Sequence, residues 1–179
     1  MLMRKEIRLS GSGGQGVITA GIILARAASI YDNVNSIQSQ SYGPEARGGA
    51  SKAEVIISDS EINYPKVESP NLLMALTQEA LDKYATDLQP DAVIIVDPLL
   101  VQNTPDKYKV YNIPVMDSAQ SVFGSSLGAN IISLGALNRI YNAVSDDALK
   151  RAVADSIPKA VEANIKALEV GRELAERVL

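Results

Sequence analysis

GSGGQG, residues 11–16, stands between a short half-apolar run, Lys5–Leu9, and a stretch from Val17 to Ile30 that is apolar almost all round. A strand that passes through a glycine turn directly into a buried helix commits a chain to layered α/β architecture, because neither element can bury its apolar side without the other. The spacing satisfies G-x-G-x-x-G. Gly11 permits the tight turn, Gly13 lets a group approach the backbone, and Gly16 allows close helix–strand packing, while the exposed amides of the helix start favour an anion. The acid that would hold a ribose at the end of the next strand is missing. Ile37, Gln38, Ser39 and Gln40 stand there, and Asp32 falls in the turn before it. Three readings stay open: a dinucleotide site, a close-packed turn with no ligand, and a turn that receives an anion or a partner-subunit group. Gln15, able to donate and accept, suits the last.

Further strands are expected at Val34–Ile37, Ala53–Ile57, Leu72–Leu76 and Ala92–Val96, the last an uninterrupted apolar run of the kind covered on both faces. Val110–Val115 reads as another, weakened by Pro114. A polar helix is expected from Glu79 to about Asp87. Beyond residue 116 the pattern turns helical: Asn130–Val144, a helix capped by Ser145 and running to about Ile157, and a last helix opened by Pro158 with Val161, Ile165, Leu168, Ala175 and Leu179 in one stripe. The 179 residues, without repeats or a linker, suit one domain over 1–179. The expected fold is a single three-layer Rossmann-like α/β domain with a mainly parallel sheet and a helical C-terminal third.

Composition narrows the chemistry. A net charge of −4 with no basic run argues against nucleic-acid binding. The longest apolar runs are too short to cross a membrane, and the N-terminus MLMRKEIRLS has no signal-like apolar core, so a cytoplasmic location is expected. With no Cys the chain cannot hold ordinary iron–sulfur clusters, and with no His it lacks the commonest metal ligand and general base. Redox chemistry linked to it must rest on carboxylates, Lys, Tyr, a bound cofactor or another subunit.

SYGPEARGGAS, residues 41–51, is richly equipped for a connection between strands. Pro44 pushes Gly43 towards an extended conformation, and Gly48 and Gly49 can take positive φ and gather backbone N–H groups into an anion nest. Arg47 adds a planar fork for carboxylate or phosphate, and Tyr42 can stack or donate. Alternatively Glu45 and Arg47 pair with each other on a solvated loop and the glycines only turn the chain.

Taken in order, GSGGQG, SYGPEARGGASKAEVIISD and NIISLGAL (Asn130–Leu137) resemble the gamma subunit of 2-oxoacid:ferredoxin oxidoreductases over nearly the whole chain. The loop is most similar to the 2-oxoglutarate type. The resemblance implies a multi-subunit enzyme that decarboxylates a 2-oxoacid on thiamine diphosphate, passes electrons through iron–sulfur clusters to ferredoxin and transfers the acyl group to coenzyme A. It implies alpha, beta and ferredoxin-like delta subunits as partners, which carry the thiamine and cluster sites; this chain holds no cofactor alone. Expressed by itself, it can form a homodimer through surfaces meant for partners. The candidate ligand- or partner-binding residues are Gly11, Gly13, Gly14, Gln15, Gly16, Ser41, Tyr42, Gly43, Pro44, Glu45, Arg47, Gly48 and Gly49. They are expected side by side at the carboxyl ends of the strands, with Arg47 as the anion contact and Gln15 and Tyr42 orienting it. No residue is assigned a catalytic or metal-binding role. The alternatives are a free-standing nucleotide-binding oxidoreductase and a scaffold module.

Other residues carry plainer expectations. Asp97-Pro98 reads as a strand stop with an exposed acid, Asp117-Ser118 as a helix N-cap, Asn130 as a helix residue hydrogen-bonded across the sheet, and Tyr141 as core or subunit interface.

Overall fold

The computed structural model describes residues 3–41 and 49–179. β1 (Arg4–Ser12) is longer than the expected strand and draws Gly11 and Ser12 of the glycine motif into the sheet. Alternation sends Ile7 and Leu9 into the main core, while Glu6, Arg8 and Ser10 face the other way. β2 (Asn35–Ser41), β3 (Ala50–Ser58), β4 (Leu72–Ala75), β5 (Val93–Val96) and β6 (Lys109–Asn112) complete a sheet of order β2-β3-β1-β4-β5-β6. β1, β4, β5 and β6 are mutually parallel. β3 runs against both β1 and β2. The segment 42–49 is too short for the crossover of about a dozen residues that a parallel pair requires, so the two strands it joins must oppose each other.

Val17–Ile30 is helical as expected, as α1 (Val17–Arg26) followed by a wider π turn, Ala27–Tyr31. α2 (Gln78–Tyr84) starts at Thr77, whose hydroxyl accepts the Ala80 N–H at 3.2 Å. α3 (Val115–Phe123), α4 (Ala129–Tyr141), α5 (Asp146–Ser156) and α6 (Val161–Glu176) make up the helical C-terminal part. Ser145 caps α5 as expected, accepting from Ala148 N–H at 3.2 Å, and Pro158 opens a short 3₁₀ turn ahead of α6. Ile7, Leu9, Val55, Leu72 and Ile95 pack with α1 and α4–α6 on one side of the sheet; Leu73, Ala75, Ile94 and Val96 pack with Leu81 of α2 on the other. Three layers result. Among the described residues no helix is long and apolar enough to cross a membrane.

Four expectations need correction. The strand expected at Val110–Val115 is β6, ending at Asn112, and Val115 already begins α3. Asp117 is not a cap; it lies in the first turn of α3, where its charge complements the helix dipole. Asp97 is fully buried: one carboxylate oxygen accepts Leu99 N–H at 2.9 Å and the other accepts Met116 N–H at 2.7 Å, tying the end of β5 to the start of α3. In α6 the buried stripe is Ala167, Leu168, Gly171, Leu174 and Ala175, with Leu179 exposed. The reason is a close crossing with α4. A Cβ on Gly135 would lie 2.2 Å from the Leu168 carbonyl oxygen, and one on Gly171 would lie 1.9 Å from that of Ile132. Tyr141 packs against the main core.

Candidate functional site

β1 ends at Ser12 opposite Ala50, where β3 begins, and Gly11 faces Ser51. Ser51 Oγ donates to the Gly11 carbonyl at 3.3 Å. The antiparallel ladder therefore brings the glycine turn and the start of β3 together at the carboxyl end of β1. Ser41, opposite Lys52, and Gly49 belong to the same end. Tyr42, Gly43, Pro44, Glu45, Arg47 and Gly48 lie outside the described residues.

Within the turn, Gly14 (φ 92°) and Gly16 (φ 72°) adopt left-handed backbone that any other residue strains to reach. Among the described residues nothing lies within 4 Å of the place a Gly14 Cβ would occupy, so that side of the turn is open to them. Gln15 folds back on its own chain. Its Oε1 accepts Ser12 N–H at 2.8 Å and its Nε2 donates to the Leu76 carbonyl at 3.3 Å, which staples the ends of β1 and β4 together. Gly11 makes room for this, since a Cβ there would lie 2.4 Å from Gln15 Oε1.

Among the described residues no side chain caps the start of α1 at Gly16 or that of α4 at Gly128 (φ 86°). Asn130 links the two starts: its Nδ2 donates to the Gly16 carbonyl at 3.4 Å. It thus reaches the glycine turn, where a bond across the sheet was expected. First-turn N–H groups lack intrahelical acceptors, so an uncapped start presents donors to whatever approaches. Beside the α4 start lies a largely apolar cavity of about 430 Å³, lined by Phe123, Leu127, Asn130, Ile157 and Asn164 among others.

α2 fixes the start of β3 from the other side. Glu79 Oε1 accepts Ala50 N–H at 3.4 Å and Tyr84 Oη donates to the Ala50 carbonyl at 3.0 Å. Behind Tyr84 sits a charge cluster built on the buried Arg8 and Glu54 and reaching the surface at Asp87. Arg8 Nε meets Glu54 at 2.7 Å, and its other nitrogens meet the two oxygens of Asp87 at 2.5 and 2.9 Å. Burial by itself would lower the Arg8 pKa, but the hydrogen bonds it donates to Asp87 and Glu54 outweigh it and raise it. Those same bonds from Arg8 hold Asp87 below the usual carboxylate range. Lys52 reaches Glu54 at 2.8 Å and stands over the Tyr84 ring at 5.6 Å. Sequence reasoning missed Glu79 and Tyr84. Their partner Ala50 is 29 and 34 residues away, and neither carries a local signal.

In dinucleotide-binding α/β folds the strand after the glycine-turn helix lies directly beside the first. Here β3 separates β2 from β1, and β2 ends in Gln38, Ser39, Gln40 and Ser41 without a carboxylate. Among the described residues no group of three or more His, Cys, Asp or Glu could hold a metal ion. What this end of the sheet offers is backbone donors, fixed turns and amide side chains, groups that bind and position.

The pyruvate ferredoxin/flavodoxin oxidoreductase family model matches residues 6–174. The chain is 49% identical over 182 residues to the 2-oxoglutarate synthase subunit KorC of Methanocaldococcus jannaschii, covering 98% of this chain and 96% of that one. It is 46% identical to the keto/oxoacid ferredoxin oxidoreductase gamma subunit of Geobacter sulfurreducens, with a TM-score of 0.90 over 98% of both chains. The same fold recurs, at 23% identity and a TM-score of 0.88, within 2-oxoglutarate:ferredoxin oxidoreductase from Magnetococcus marinus, a structure with 2-oxoglutarate, coenzyme A and succinyl-CoA bound; the match covers 98% of this chain and 32% of that one. Family, fold and the order of the three sequence motifs agree: this chain belongs to the pyruvate ferredoxin/flavodoxin oxidoreductase family and is a gamma-type subunit of its 2-oxoacid enzymes.

Proposed function

We propose that this gamma subunit serves a 2-oxoglutarate:ferredoxin oxidoreductase in the cytoplasm, and that the end of the sheet bearing Gly11–Gly16 and Ser41–Gly49 docks against the subunits that carry out the chemistry. The observation that carries this reading is the juxtaposition of Ser12 and Ala50, which sets the glycine turn beside the start of β3, where the 42–48 segment rejoins the sheet. The substrate assignment draws on 46–49% identity to KorC subunits of three methanogens over nearly full length. Thiamine diphosphate and iron–sulfur clusters fall to the alpha, beta and delta partners, since a chain with no Cys offers no thiolate to a cluster. Coenzyme A fits this end of the molecule differently. The uncapped start of α1 and the open side of Gly14 suit a phosphate, and Arg47 supplies a fork for the same charge. When bound, coenzyme A accepts the acyl group; this chain's residues hold and orient it.

The test is reconstitution with the three partner subunits, following ferredoxin reduction with 2-oxoglutarate, pyruvate and 2-ketoisovalerate in turn. The expected result is a kcat/KM highest for 2-oxoglutarate, activity lost when this chain is omitted, and a raised KM for coenzyme A or weakened assembly in Arg47→Ala. Full activity without the chain, or a preference for pyruvate, would reject the proposal.

A further inference from the structure

Ala50 is the first residue of β3 and stands opposite Ser12, the last of β1, so it closes the ladder that joins the glycine turn to β3. It is 1% exposed. Buried backbone groups need partners, and at Ala50 both are met by side chains of α2. The carbonyl accepts from Tyr84 Oη at 3.0 Å, and the N–H donates to Glu79 Oε1 at a longer 3.4 Å.

Tyr84 is itself braced. Lys52, Lys83 and Arg8 stand over its ring at 5.6, 5.4 and 6.0 Å, within cation–π reach, and its carbonyl accepts from Arg8 Nη1 at 3.0 Å. Arg8 belongs to β1 and Lys52 to β3, so the two strands that frame the glycine turn also fix the ring. A helix of seven residues is too short to hold its place unaided. α2 is anchored at its other end by Gln78, whose Oε1 accepts the N–H groups of Gln102 and Asn103 at 3.0 Å each and whose Nε2 donates to the Asn103 carbonyl at 2.9 Å. Gln15 of the glycine turn meets the Leu76 carbonyl at 3.3 Å, just before this helix. Three connections at the carboxyl end of the sheet thus converge on residues 76–84.

We propose that Tyr84, seconded by Glu79, is a positioning residue of the gamma subunit: acting through Ala50, it sets how the start of β3 meets the glycine turn, and so the fit of this end to the partner subunits. The proposal rests on the docking reading above. A hydroxyl on a braced ring serves the Ala50 carbonyl from one direction only, whereas a water molecule in its place would follow any shift of the strand. The effect is bounded by what one hydrogen bond contributes, which puts it near about fivefold in affinity.

The test is a titration of the full chain into a fixed amount of the three partner subunits, reading ferredoxin reduction with 2-oxoglutarate and coenzyme A at saturation, and circular dichroism to check folding. Tyr84→Phe keeps the ring and its three cations and removes the hydroxyl. It is expected to raise the half-saturating concentration of this chain about fivefold and to leave the plateau rate at the wild-type value. Glu79→Ala is expected to act in the same way, more weakly. Gly135→Ala, which strains the α4–α6 crossing on the other side of the sheet, is expected to lower stability and leave half-saturation unchanged, a split that a merely structural role for Tyr84 does not produce. Unchanged half-saturation in Tyr84→Phe, a lowered plateau, or an equal shift in Gly135→Ala would overturn the proposal. Arg47→Ala judges the docking reading separately. If it raises the half-saturating concentration and Tyr84→Phe does not, the docking end stands and the positioning role falls; if neither does, both fall.

Discussion

Gly171 of α6 lies directly against the backbone of Ile132 in α4, so close that a methyl group on the glycine would sit 1.9 Å from the Ile132 carbonyl oxygen. Gly135 returns the contact against Leu168 at 2.2 Å. Backbone cannot swing aside as a side chain can, so the helices would have to separate. Gly135→Ala and Gly171→Ala are each expected to cost about 3 kcal/mol, at the upper end of overpacking penalties, read as a shift in the urea midpoint at unchanged slope. Gly124→Ala is the control: a Cβ there would meet none of the described residues within 4 Å and has its φ of 68° to strain, and it should lose about 1 kcal/mol.

Gly16 and Asn130 are expected to behave as a pair. A Cβ on Gly16 would meet Asn130 Nδ2 at 2.6 Å, in addition to the strain of φ 72°. Gly16→Ala should therefore be less damaging in an Asn130→Ala background than in the wild type, with a coupling of roughly 1 kcal/mol in a double-mutant cycle of unfolding free energies. Strictly additive values would mean that the Asn130 side chain does not rest on the turn.

The buried carboxylate of Asp97 joins two elements through the backbone N–H groups of Leu99 and Met116. Asp97→Asn presents an amide donor where both partners are donors. A loss of about 2 kcal/mol is expected from the misplaced hydrogen bond, measured by thermal or urea unfolding. An unchanged midpoint would contradict the contact.

Asp87 offers a test of pH dependence. Hydrogen bonds from Arg8 depress its pKa below the ordinary 3.8, so its ionised form adds stability that is present above that value and is lost as the pH falls through the lower folded-state value. Asp87→Asn is expected to be less stable than wild type by roughly 1 kcal/mol near neutrality, a modest figure because the Asp87 side chain is 44% exposed. The difference should shrink towards zero in the acid range below pH 3.8. A difference that stays constant down to pH 2 would assign the loss to something other than this ion pair.

The parts of the molecule that were readable in advance are those whose cause is local. The glycine turn, α1 and the run that became β5 carry their reasons within a few neighbouring residues, as does the Ser145 cap. Asp97 was misjudged because its second acceptor contact is with Met116, 19 residues further on. Val115 was taken for strand because Pro114 reads equally as the end of an edge strand or the residue before a helix. NIISLGAL was recognisable as a motif while its physics was not. Asn130 answers Gly16 from 114 positions away, and Gly135 answers the backbone of a helix that begins at Val161. The glycine turn and the start of β3 were singled out as motifs, yet the residues that fix them to each other and to α2, Glu79, Tyr84 and the folded-back Gln15, became visible only in three dimensions.

Because β3 opposes β2, Ser41 and Lys52 are held together as ladder partners, and the strands already bear the entropic cost of closing whatever lies between them. A segment anchored in this way is an interchangeable cassette. Doubling its length would cost only about 0.6 kcal/mol in closure entropy, and no sheet register would have to move. Residues 42–49 can therefore be exchanged between related gamma chains with the glycine turn and the rest of the sheet left in their original sequence, and the docking role proposed for them predicts that partner preference moves with the graft.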